Sequence, residues 1–303
     1  MKEKPFIHCF RTYNCCYFYD FNTNAIVRIP ESVYVHLQHL EKGTANISEC
    51  DADVNEILNR LTEQGFLSSH HWCKIEHPAS RLLENYLEGS VQSLTLQVTQ
   101  QCNLKCEYCP YSGGFYNRQH NNRKMSFEIA KKAIDFYFLH SFDIPDAQIG
   151  FYGGEPLIEF EMIRRIVEYC NNEYYGKKIR YFVTTNATLL TEEKIDFLMK
   201  NNFVLTISLD GPRQYHNKNR HRVDDTGSFD IVMENIKMVY RKYPDKKENI
   251  QFNCVIDPEA DLKCINDFFI KEEALREYRV LFNSISREGI KEDDKFLPGD
   301  SYF

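Results

Sequence analysis

Alternating apolar and polar positions predict that the chain begins with a small antiparallel sheet. Runs of this kind occupy residues 6–12, 15–21 and 25–29, and Asn22-Thr23-Asn24 supplies turn chemistry before the third run. Pro30 then opens a predicted helix that ends near Gly43 and carries Val33, Leu37 and Leu40 on one face. A second predicted helix ends at Gly65 and carries Val54, Ile57, Leu58 and Leu61. With a last strand expected at Phe66 and Leu67, residues 1–68 are typical of a small winged-helix-like α+β domain.

From Ser93 onward, strand-like apolar runs alternate with amphipathic helical segments. The predicted strands are Ser93 to Val98, Ala147 to Tyr152, Lys178 to Val183, Phe203 to Ser208, Asn249 to Val255 and Arg279 to Ile285. Six β/α repeats indicate a parallel sheet with helices outside it, and such a chain winds right-handed. We therefore expect an α/β domain over residues 93–303 whose chemistry lies at the carboxyl ends of the strands.

The helices between these strands have predicted caps and predicted inward faces. Ser126, Thr191, Ser228 and Asp261 stand where four of the helices begin. The inward positions are expected to be Ile129, Ala133 and Phe136; Phe160, Ile163, Val167 and Cys170; Ile195 and Leu198; Val232, Ile236 and Val239; and Cys264, Phe268 and Leu275.

Residues 69–92 are interpreted as a polar linker with a short helix around Leu82 to Leu87. Four potential metal ligands lie close together in this segment, namely His70, His71, Cys73 and His77. Their spacing fits no structural zinc pattern, so we interpret them as linker residues, with metal binding as the alternative.

Composition narrows the class of protein. The chain has 303 residues, 43% hydrophobic and 27% charged, and its formal net charge of −7 argues against nucleic acid or an anionic membrane as the main partner. It contains no apolar stretch approaching the roughly 18 residues of a membrane span. The amino terminus, Met-Lys-Glu-Lys-Pro, is followed by alternating apolar and polar residues and not by the apolar core of a signal peptide. We therefore expect a cytoplasmic location.

Eleven cysteines in a long chain without an export signal are expected to be thiols and metal ligands. Three of them, Cys102, Cys106 and Cys109, form a CxxxCxxC triplet just after the first predicted strand of the α/β domain. Three thiolates at this spacing can hold three irons of a [4Fe–4S] cluster and leave the fourth iron without a protein ligand. An open coordination position is where a substrate or cofactor can bind a metal. The alternatives are a zinc knuckle or a coincidence of spacing.

The other cysteines are not assigned to a cluster. Cys170, Cys254 and Cys264 fall on apolar helix faces or in a strand and are interpreted as small core residues. The rest belong to the small domain or its linker, namely Cys9, Cys15, Cys16, Cys50 and Cys73.

With the aromatic Tyr108 before its last cysteine, the triplet reads CxxxCxΦC and resembles the radical S-adenosylmethionine (SAM) superfamily. The resemblance implies a partial (β/α)6 barrel, a [4Fe–4S] cluster whose open iron is chelated by SAM, and reductive cleavage of SAM to a 5′-deoxyadenosyl radical. Tyr108 is carried over with the triplet as a cofactor-site residue. An exposed cluster also calls for a reducing, low-oxygen compartment.

Later segments match further motifs of the superfamily, each after the strand where the barrel plan places it. Gly153-Gly154-Glu155-Pro156 resembles the GGEP motif, which implies contact of Gly153, Gly154 and Glu155 with the SAM ammonium group. Two glycines also let the backbone approach a ligand closely. Thr184-Thr185-Asn186-Ala187 resembles the TNG turn, with alanine in place of the usual glycine. Asn186 is a candidate for ribose contact or, equally, for stabilising the turn.

Two more segments complete the resemblance. Ser208-Leu-Asp210-Gly-Pro resembles the SLDG turn, in which Ser208 and Asp210 offer partners for SAM; an Asx turn closed by Gly211 is the alternative. His216-Asn-Lys-Asn-Arg220 followed by Gly-Ser-Phe229 resembles the HDxxR…GSF stretch of the peptide-modifying branch. Arg220 could pair with the SAM carboxylate, and Arg222 is a competitor that spacing alone does not exclude.

Together the motifs resemble the SPASM-type peptide maturases, in particular those of cysteine-rich peptides that form sactipeptide or ranthipeptide thioethers. This implies that the front domain binds the leader of a ribosomally made precursor peptide as an added strand, although a domain that only caps the barrel is the alternative. A flavodoxin- or ferredoxin-like one-electron donor is also implied. The competing functions are oxidation of a protein Cys or Ser, as in sulfatase maturases, and non-catalytic leader binding.

One departure concerns the carboxyl terminus. Relatives of this type continue into a cysteine-rich domain with auxiliary [4Fe–4S] clusters, whereas this chain ends at Phe303 with no cysteine beyond Cys264. We expect a fragment of a longer protein, or else a member without auxiliary clusters. The catalytic base and the precursor peptide are not identified by the sequence.

Overall fold

The computed structural model describes residues 4–43, 50–116, 121–286 and 288–291. Contacts divide the chain into two compact units, Met1–Ser80 and Arg81–Phe303, which are described separately. The carboxyl-terminal stretch 292–303, on which the expectation of a fragment depends, lies outside the described residues.

The first unit is a three-stranded antiparallel sheet packed against two helices. The elements are β1 (Ile7–Arg11), β2 (Cys16–Asp20), β3 (Ala25–Ile29), α1 (Glu31–Glu41) and α2 (Ala52–Glu63). The strands pair in the order β1-β2-β3. Phe18, Val33 and Leu37 are fully buried at the centre of the core. The predicted alternation and helical faces therefore account for this unit.

The prediction of a strand at Phe66 and Leu67 is wrong, because no strand forms there. Leu67 adopts a left-handed φ of 63°, and its N–H donates to the buried Asp20 carboxylate at 2.8 Å. The same carboxylate accepts the backbone N–H groups of Asn22 and Thr23 at 3.0 and 2.9 Å. Asp20 thus connects the hairpin turn to the segment after α2. Because the Leu67 N–H donates to this carboxylate, it is not available to pair with a neighbouring strand.

The second unit is built on a six-stranded sheet. Its strands are β4 (Leu94–Thr99), β6 (Asp146–Gly153), β7 (Lys178–Thr185), β8 (Phe203–Ser208), β10 (Ile250–Ile256) and β11 (Arg279–Ser284). They lie in the order β11-β10-β8-β7-β6-β4, and every neighbouring pair is parallel. The predicted α/β class and parallel sheet are confirmed. Two short strands that the sequence did not predict, β5 (Leu104–Cys106) and β9 (Arg220–Arg222), form a separate antiparallel pair.

The helices of this unit are α3 (Leu83–Gly89), α4 (Phe127–Leu139), α5 (Phe160–Glu173), α6 (Glu192–Lys200), α7 (Arg213–Asn219), α8 (Phe229–Lys242) and α9 (Leu262–Lys271). Ser126, Thr191 and Asp261 cap their helices through side-chain oxygens, as predicted. Ser228 precedes α8 but makes no such cap. Within the described part of the chain, no helix is both long and apolar enough to cross a membrane.

Two predicted helix faces are wrong by one position. In α4 the buried residues are Ala130, Ile134 and Tyr137, while Ile129 and Phe136 are 58% and 57% exposed. Tyr137 determines this face, because its hydroxyl accepts the N–H of Gln148 at 2.9 Å and donates to the Gln92 carbonyl at 3.2 Å.

In α9 the buried residues are Ile265 and Phe269. Cys264 is only partly buried, so it is not the core residue that we expected, whereas Cys170 and Cys254 are fully buried. Leu275 is buried but lies beyond the end of the helix. Both helices are apolar on more than one side, so periodicity alone does not select the inward face.

Candidate functional site

A pocket of about 240 Å³ lies at the carboxyl ends of the strands of the second unit. We call it the cysteine pocket, because Cys102, Cys106 and Cys109 all line it. The other predicted site residues that line it are Tyr108, Gly153, Gly154, Glu155, Asn186, Ser208 and Arg220. Asp210 does not line the pocket but contacts two residues that do, Tyr108 and Arg220. The structure therefore brings together residues that are spread over more than a hundred positions of the sequence.

The segment from Thr99 to Cys109, which we call the cysteine loop, is held in place by the short β5–β9 pair. Cys106 pairs with Arg220 in this ladder, and the N–H of Glu107 donates to the Asn219 carbonyl at 2.9 Å. A turn closes the loop where the N–H of Cys109 donates to the Cys106 carbonyl at 3.1 Å. The backbone of the triplet is thus fixed by a segment that follows it by more than a hundred residues.

Nitrogen donors approach all three sulfur atoms, and at Cys109 the donor is the backbone N–H of Tyr111. Cys102 Sγ lies 3.4 Å from the backbone N of Leu104 and 3.9 Å from Asn186 Nδ2. Cys106 Sγ lies 3.9 Å from Arg220 Nη1. N–H groups directed at cysteine sulfurs are among the features by which proteins tune iron–sulfur clusters.

Burial makes the three thiols weaker acids than an exposed cysteine. It raises the pKa of Cys102 to about 11 and that of Cys106 to about 12, and it also raises the pKa of Cys109. The charge of Arg220 opposes this shift at all three positions. A bound metal ionises coordinating thiols outright, so these side chains become ligands when the metal supplies the positive charge.

The donor set fits a [4Fe–4S] cluster. Among the described residues, no three His, Cys, Asp or Glu side chains are grouped as the ligands of a single metal ion would be. In a [4Fe–4S] cluster each thiolate binds a different iron, which requires a wider spacing around one cavity. The three thiols line one pocket, and each of them is approached by an N–H donor, as the ligands of such a cluster commonly are.

The two glycines of the GGEP segment are required by the cysteine loop itself. A Cβ on Gly153, where φ is +147°, would lie 2.1 Å from the Thr99 carbonyl oxygen. A Cβ on Gly154 would lie 2.0 Å from that of Gln101. At this distance the N–H groups of Gly154 and Glu155 donate to the same two carbonyls at 3.0 and 2.8 Å. The close approach that we predicted for a ligand is therefore made, first of all, by the polypeptide.

The Glu155 carboxylate is buried and accepts three hydrogen bonds from within the protein. Its Oε1 accepts from the Leu157 N–H at 3.0 Å and from the Thr185 hydroxyl at 2.7 Å, and its Oε2 accepts from the Asn186 N–H at 2.8 Å. Burial raises the pKa of Glu155, and these three donors oppose the shift. The side chain braces the turn after β7 against the turn after β6.

Asn186 stabilises its turn and also contacts the cysteine loop. Its Oδ1 accepts the Thr188 N–H at 3.0 Å, and its Nδ2 donates to Asn103 Oδ1 at 2.9 Å. Ala187, which replaces the family's glycine, adopts a left-handed φ of 60°, the conformation that favours glycine.

Asp210, Arg220 and Tyr108 form a buried network behind the cysteines. Arg220 Nε donates to Asp210 Oδ2 at 2.8 Å, and the Tyr108 hydroxyl donates to the same oxygen. The N–H of Val255 donates to Asp210 Oδ1 at 3.0 Å. Burial alone would lower the pKa of Arg220, but Asp210, Tyr108 and Cys106 together raise it, so the guanidinium stays charged. Arg222, the competitor, lines a different pocket with Asn103 and Thr188.

A buried histidine links this network together, and sequence reasoning gave it no role. His216 Nδ1 accepts the Asp210 N–H at 3.4 Å, which leaves Nε2 to donate to the Ser228 hydroxyl at 3.0 Å. Ser228 in turn donates to the Arg220 carbonyl at 2.9 Å, which is why it does not cap α8. Burial, followed by the Arg220 charge, lowers the pKa of His216 to about 3, so the imidazole is neutral. The sequence signal that could have indicated this role is the match of His216, Arg220 and Ser228 to the HDxxR…GSF motif.

Comparison with known proteins extends this description. Residues 96–268 match the family model described as the Radical SAM superfamily, which is more than half of the chain. The chain is 31% identical over 170 residues to a serine-type anaerobic sulfatase-maturating enzyme of Bacteroides thetaiotaomicron, covering 55% of this chain and 37% of that protein. It is 28% identical over 258 residues to the radical SAM cyclopropyl synthase TigE of Paramaledivibacter caminithermalis, covering 78% and 52%.

A solved structure of hexahistidine-tagged anSMEcpe with bound AdoMet superposes with a TM-score of 0.55 at 24% identity, covering 64% of this chain and 50% of that chain. This likeness concerns the fold. The chain spans between about a third and a half of the length of these curated relatives.

Proposed function

The chain belongs to the radical SAM superfamily, and we propose that it modifies a peptide or protein substrate, forming thioether crosslinks from cysteines of a ribosomally made precursor peptide. Membership of the superfamily implies a [4Fe–4S] cluster and SAM as cofactors.

The observation that carries the proposal is the composition of the cysteine pocket. Three thiols that can ligate three irons line one pocket together with residues at the carboxyl ends of β6, β7 and β8. We assign Cys102, Cys106 and Cys109 as the cluster ligands, and the pocket faces of Tyr108, Gly153, Gly154, Glu155, Asn186 and Ser208 as the SAM contacts. When bound and given one electron by an external donor, the two cofactors would supply a 5′-deoxyadenosyl radical that abstracts hydrogen from the substrate.

The protein's own contribution is orientation and shielding. The carboxylate of Glu155 is occupied by internal donors, so its share of SAM binding falls to the backbone of the GGEP turn. Asp210 acts through Tyr108 and Arg220, both of which it holds at the pocket wall. Fixing such groups before substrate binds is how a protein assists a cofactor-based reaction.

The first unit supplies a feature suited to leader binding. β3 pairs only with β2 among the described strands and therefore presents an open edge. Ile26 and Arg28 of this strand are exposed. An extended peptide can add to such an edge, with main-chain hydrogen bonds providing the affinity. This supports a precursor peptide whose leader binds at the first unit.

A second function is favoured by the relatives. The Bacteroides thetaiotaomicron relative is named as a sulfatase-maturating enzyme, and a cysteine-type enzyme of the same description from Clostridium novyi is 32% identical over 159 residues. The alternative proposal is therefore oxidation of a single Cys or Ser in a protein. Leader binding without catalysis is the remaining alternative.

Mass spectrometry separates these functions. The reconstituted chain is incubated without oxygen with SAM, dithionite and either a peptide with several cysteines and its leader, or a peptide with a single cysteine. After treatment with dithiothreitol to reduce any disulfide, a loss of two hydrogens per crosslink that persists, with the crosslinked thiols no longer alkylated by iodoacetamide, is the expected result for the first peptide. Modification should fall when the leader is removed. Conversion of the single-cysteine peptide to an aldehyde would instead support the sulfatase-maturase function.

A further inference from the structure

We propose that Arg220 is a positioning residue that sets the reduction potential of the cluster, and that Asp210 moderates its effect. The inference rests on the cluster assignment in the proposed function, but not on the identity of the substrate. It gives Arg220 a role that differs from the SAM-carboxylate contact suggested by the sequence.

The geometry places a fixed positive charge on one cluster ligand. Arg220 Nη1 lies 3.9 Å from Cys106 Sγ, and the guanidinium carbon lies 5.4 Å from the centre of the Tyr108 ring. Arg220 and Asp210 are both buried, with side-chain exposures of 8% and 2%. A charge in such surroundings acts on its neighbours with little screening by solvent.

The guanidinium has little freedom to turn toward another partner. Its Nε is bonded to Asp210 Oδ2, and Asp210 is itself held by the Tyr108 hydroxyl and by the Val255 N–H. The carbonyl of Arg220 accepts from Ser228, which His216 orients. Both ends of the residue are therefore fixed before any cofactor binds.

The sign of the effect follows from charge. Reduction adds one electron to the cluster, supplied here by an external donor such as dithionite, so a nearby cation favours the reduced form. Hydrogen bonds to the sulfurs and net charge around the site are established determinants of cluster potential. Asp210 opposes the cation, and its charge also reaches Cys106. Removing the cation should lower the midpoint potential, and removing the anion should raise it.

The test is an anaerobic redox titration of the full chain, followed by the EPR signal of the reduced cluster, without SAM or peptide. Arg220→Gln is expected to make reduction at least tenfold less favourable, which is about 59 mV more negative for a one-electron couple. Asp210→Asn is expected to shift the midpoint in the positive direction. Arg222→Gln is the matched control, because this exposed arginine lies two positions away and lines a different pocket. Its midpoint should equal that of the wild type.

A merely structural role of the two residues would not shift the midpoint potential in opposite directions in Arg220→Gln and Asp210→Asn. An unchanged midpoint in Arg220→Gln, or shifts of the same sign in both variants, would overturn the proposal. If the midpoint is unchanged and a separate equilibrium measurement shows weaker SAM binding by Arg220→Gln, the proposal is overturned and the SAM-carboxylate contact is restored. If Arg220→Gln does not bind iron, the sign of the midpoint shift in Asp210→Asn decides whether the proposal holds. If neither variant binds iron while Arg222→Gln does, Arg220 and Asp210 are needed to form the cysteine loop, and the proposal fails. A wild-type chain without any cluster would instead reject the proposed function.

Discussion

The carboxylate of Glu155 accepts the backbone N–H of Asn186 at 2.8 Å, so the turn after one strand holds the turn after the next. Asn186 then reaches back to the cysteine loop through Asn103 and Cys102. Segments that look like separate motifs in the sequence are consecutive links of one hydrogen-bonded structure around the cysteine pocket.

Replacing this carboxylate tests the link. In Glu155→Gln, an amide NH₂ must face one of the three donors that the carboxylate now accepts from, so a buried donor loses its partner. Such a loss costs about 1–3 kcal/mol, and we expect the free energy of unfolding to fall by that amount, with weaker SAM binding. Urea unfolding and equilibrium SAM binding measure the two effects. Glu161→Gln, at a largely exposed position of α5, should behave like the wild type; equal behaviour of both variants would contradict the link.

Adding one methyl group at Gly154 should disturb the cysteine loop. The Cβ would overlap the Gln101 carbonyl oxygen at 2.0 Å, and backbone can yield only by moving the loop. We expect Gly154→Ala to hold clearly less iron and sulfide per chain after reconstitution. Gly114→Ala is the control, since its Cβ would meet nothing closer than Ser112 Oγ at 3.4 Å. Normal iron content in Gly154→Ala would show that this contact does not shape the site.

His216 predicts a dependence of stability on pH. Its pKa is about 3 in the folded chain against 6.5 for an ordinary histidine, so between these values the unfolded chain binds a proton that the folded chain does not. The stability that it contributes is therefore present above about pH 6.5 and is lost as the pH falls toward 3. Between about pH 7 and pH 5.5 the wild type should lose about 1 kcal/mol more than His216→Gln, as measured by urea unfolding followed by circular dichroism. Parallel loss in the two proteins would mean that His216 is not held neutral.

Much of the fold could be predicted because strands in a parallel sheet leave strong local signals. The strands predicted at Phe203–Ser208 and Lys178–Val183 agree with β8 and with most of β7. The sequence predicted that the residues of the cysteine pocket lie together, because they follow or end successive strands and the carboxyl ends of parallel strands lie at one edge of the sheet.

What the sequence did not predict depends on pairing between distant residues. The β5–β9 pair joins residues 104–106 to 220–222, and neither segment has a strong strand pattern alone. Nothing local to Arg220 shows that Asp210 binds its Nε or that Cys106 lies beside it. The inward face of α4 was missed for a similar reason, because the partners of Tyr137 at Gln92 and Gln148 select it.

The most direct test of the central claim is whether the cysteine pocket supports reductive cleavage of SAM. The chain is reconstituted with iron and sulfide without oxygen, and 5′-deoxyadenosine is quantified after addition of SAM and dithionite. We expect production in the wild type and in Cys264→Ala, a partly buried cysteine outside the triplet, and none in Cys106→Ala. A wild-type protein with an intact cluster spectrum that forms no 5′-deoxyadenosine would contradict the account.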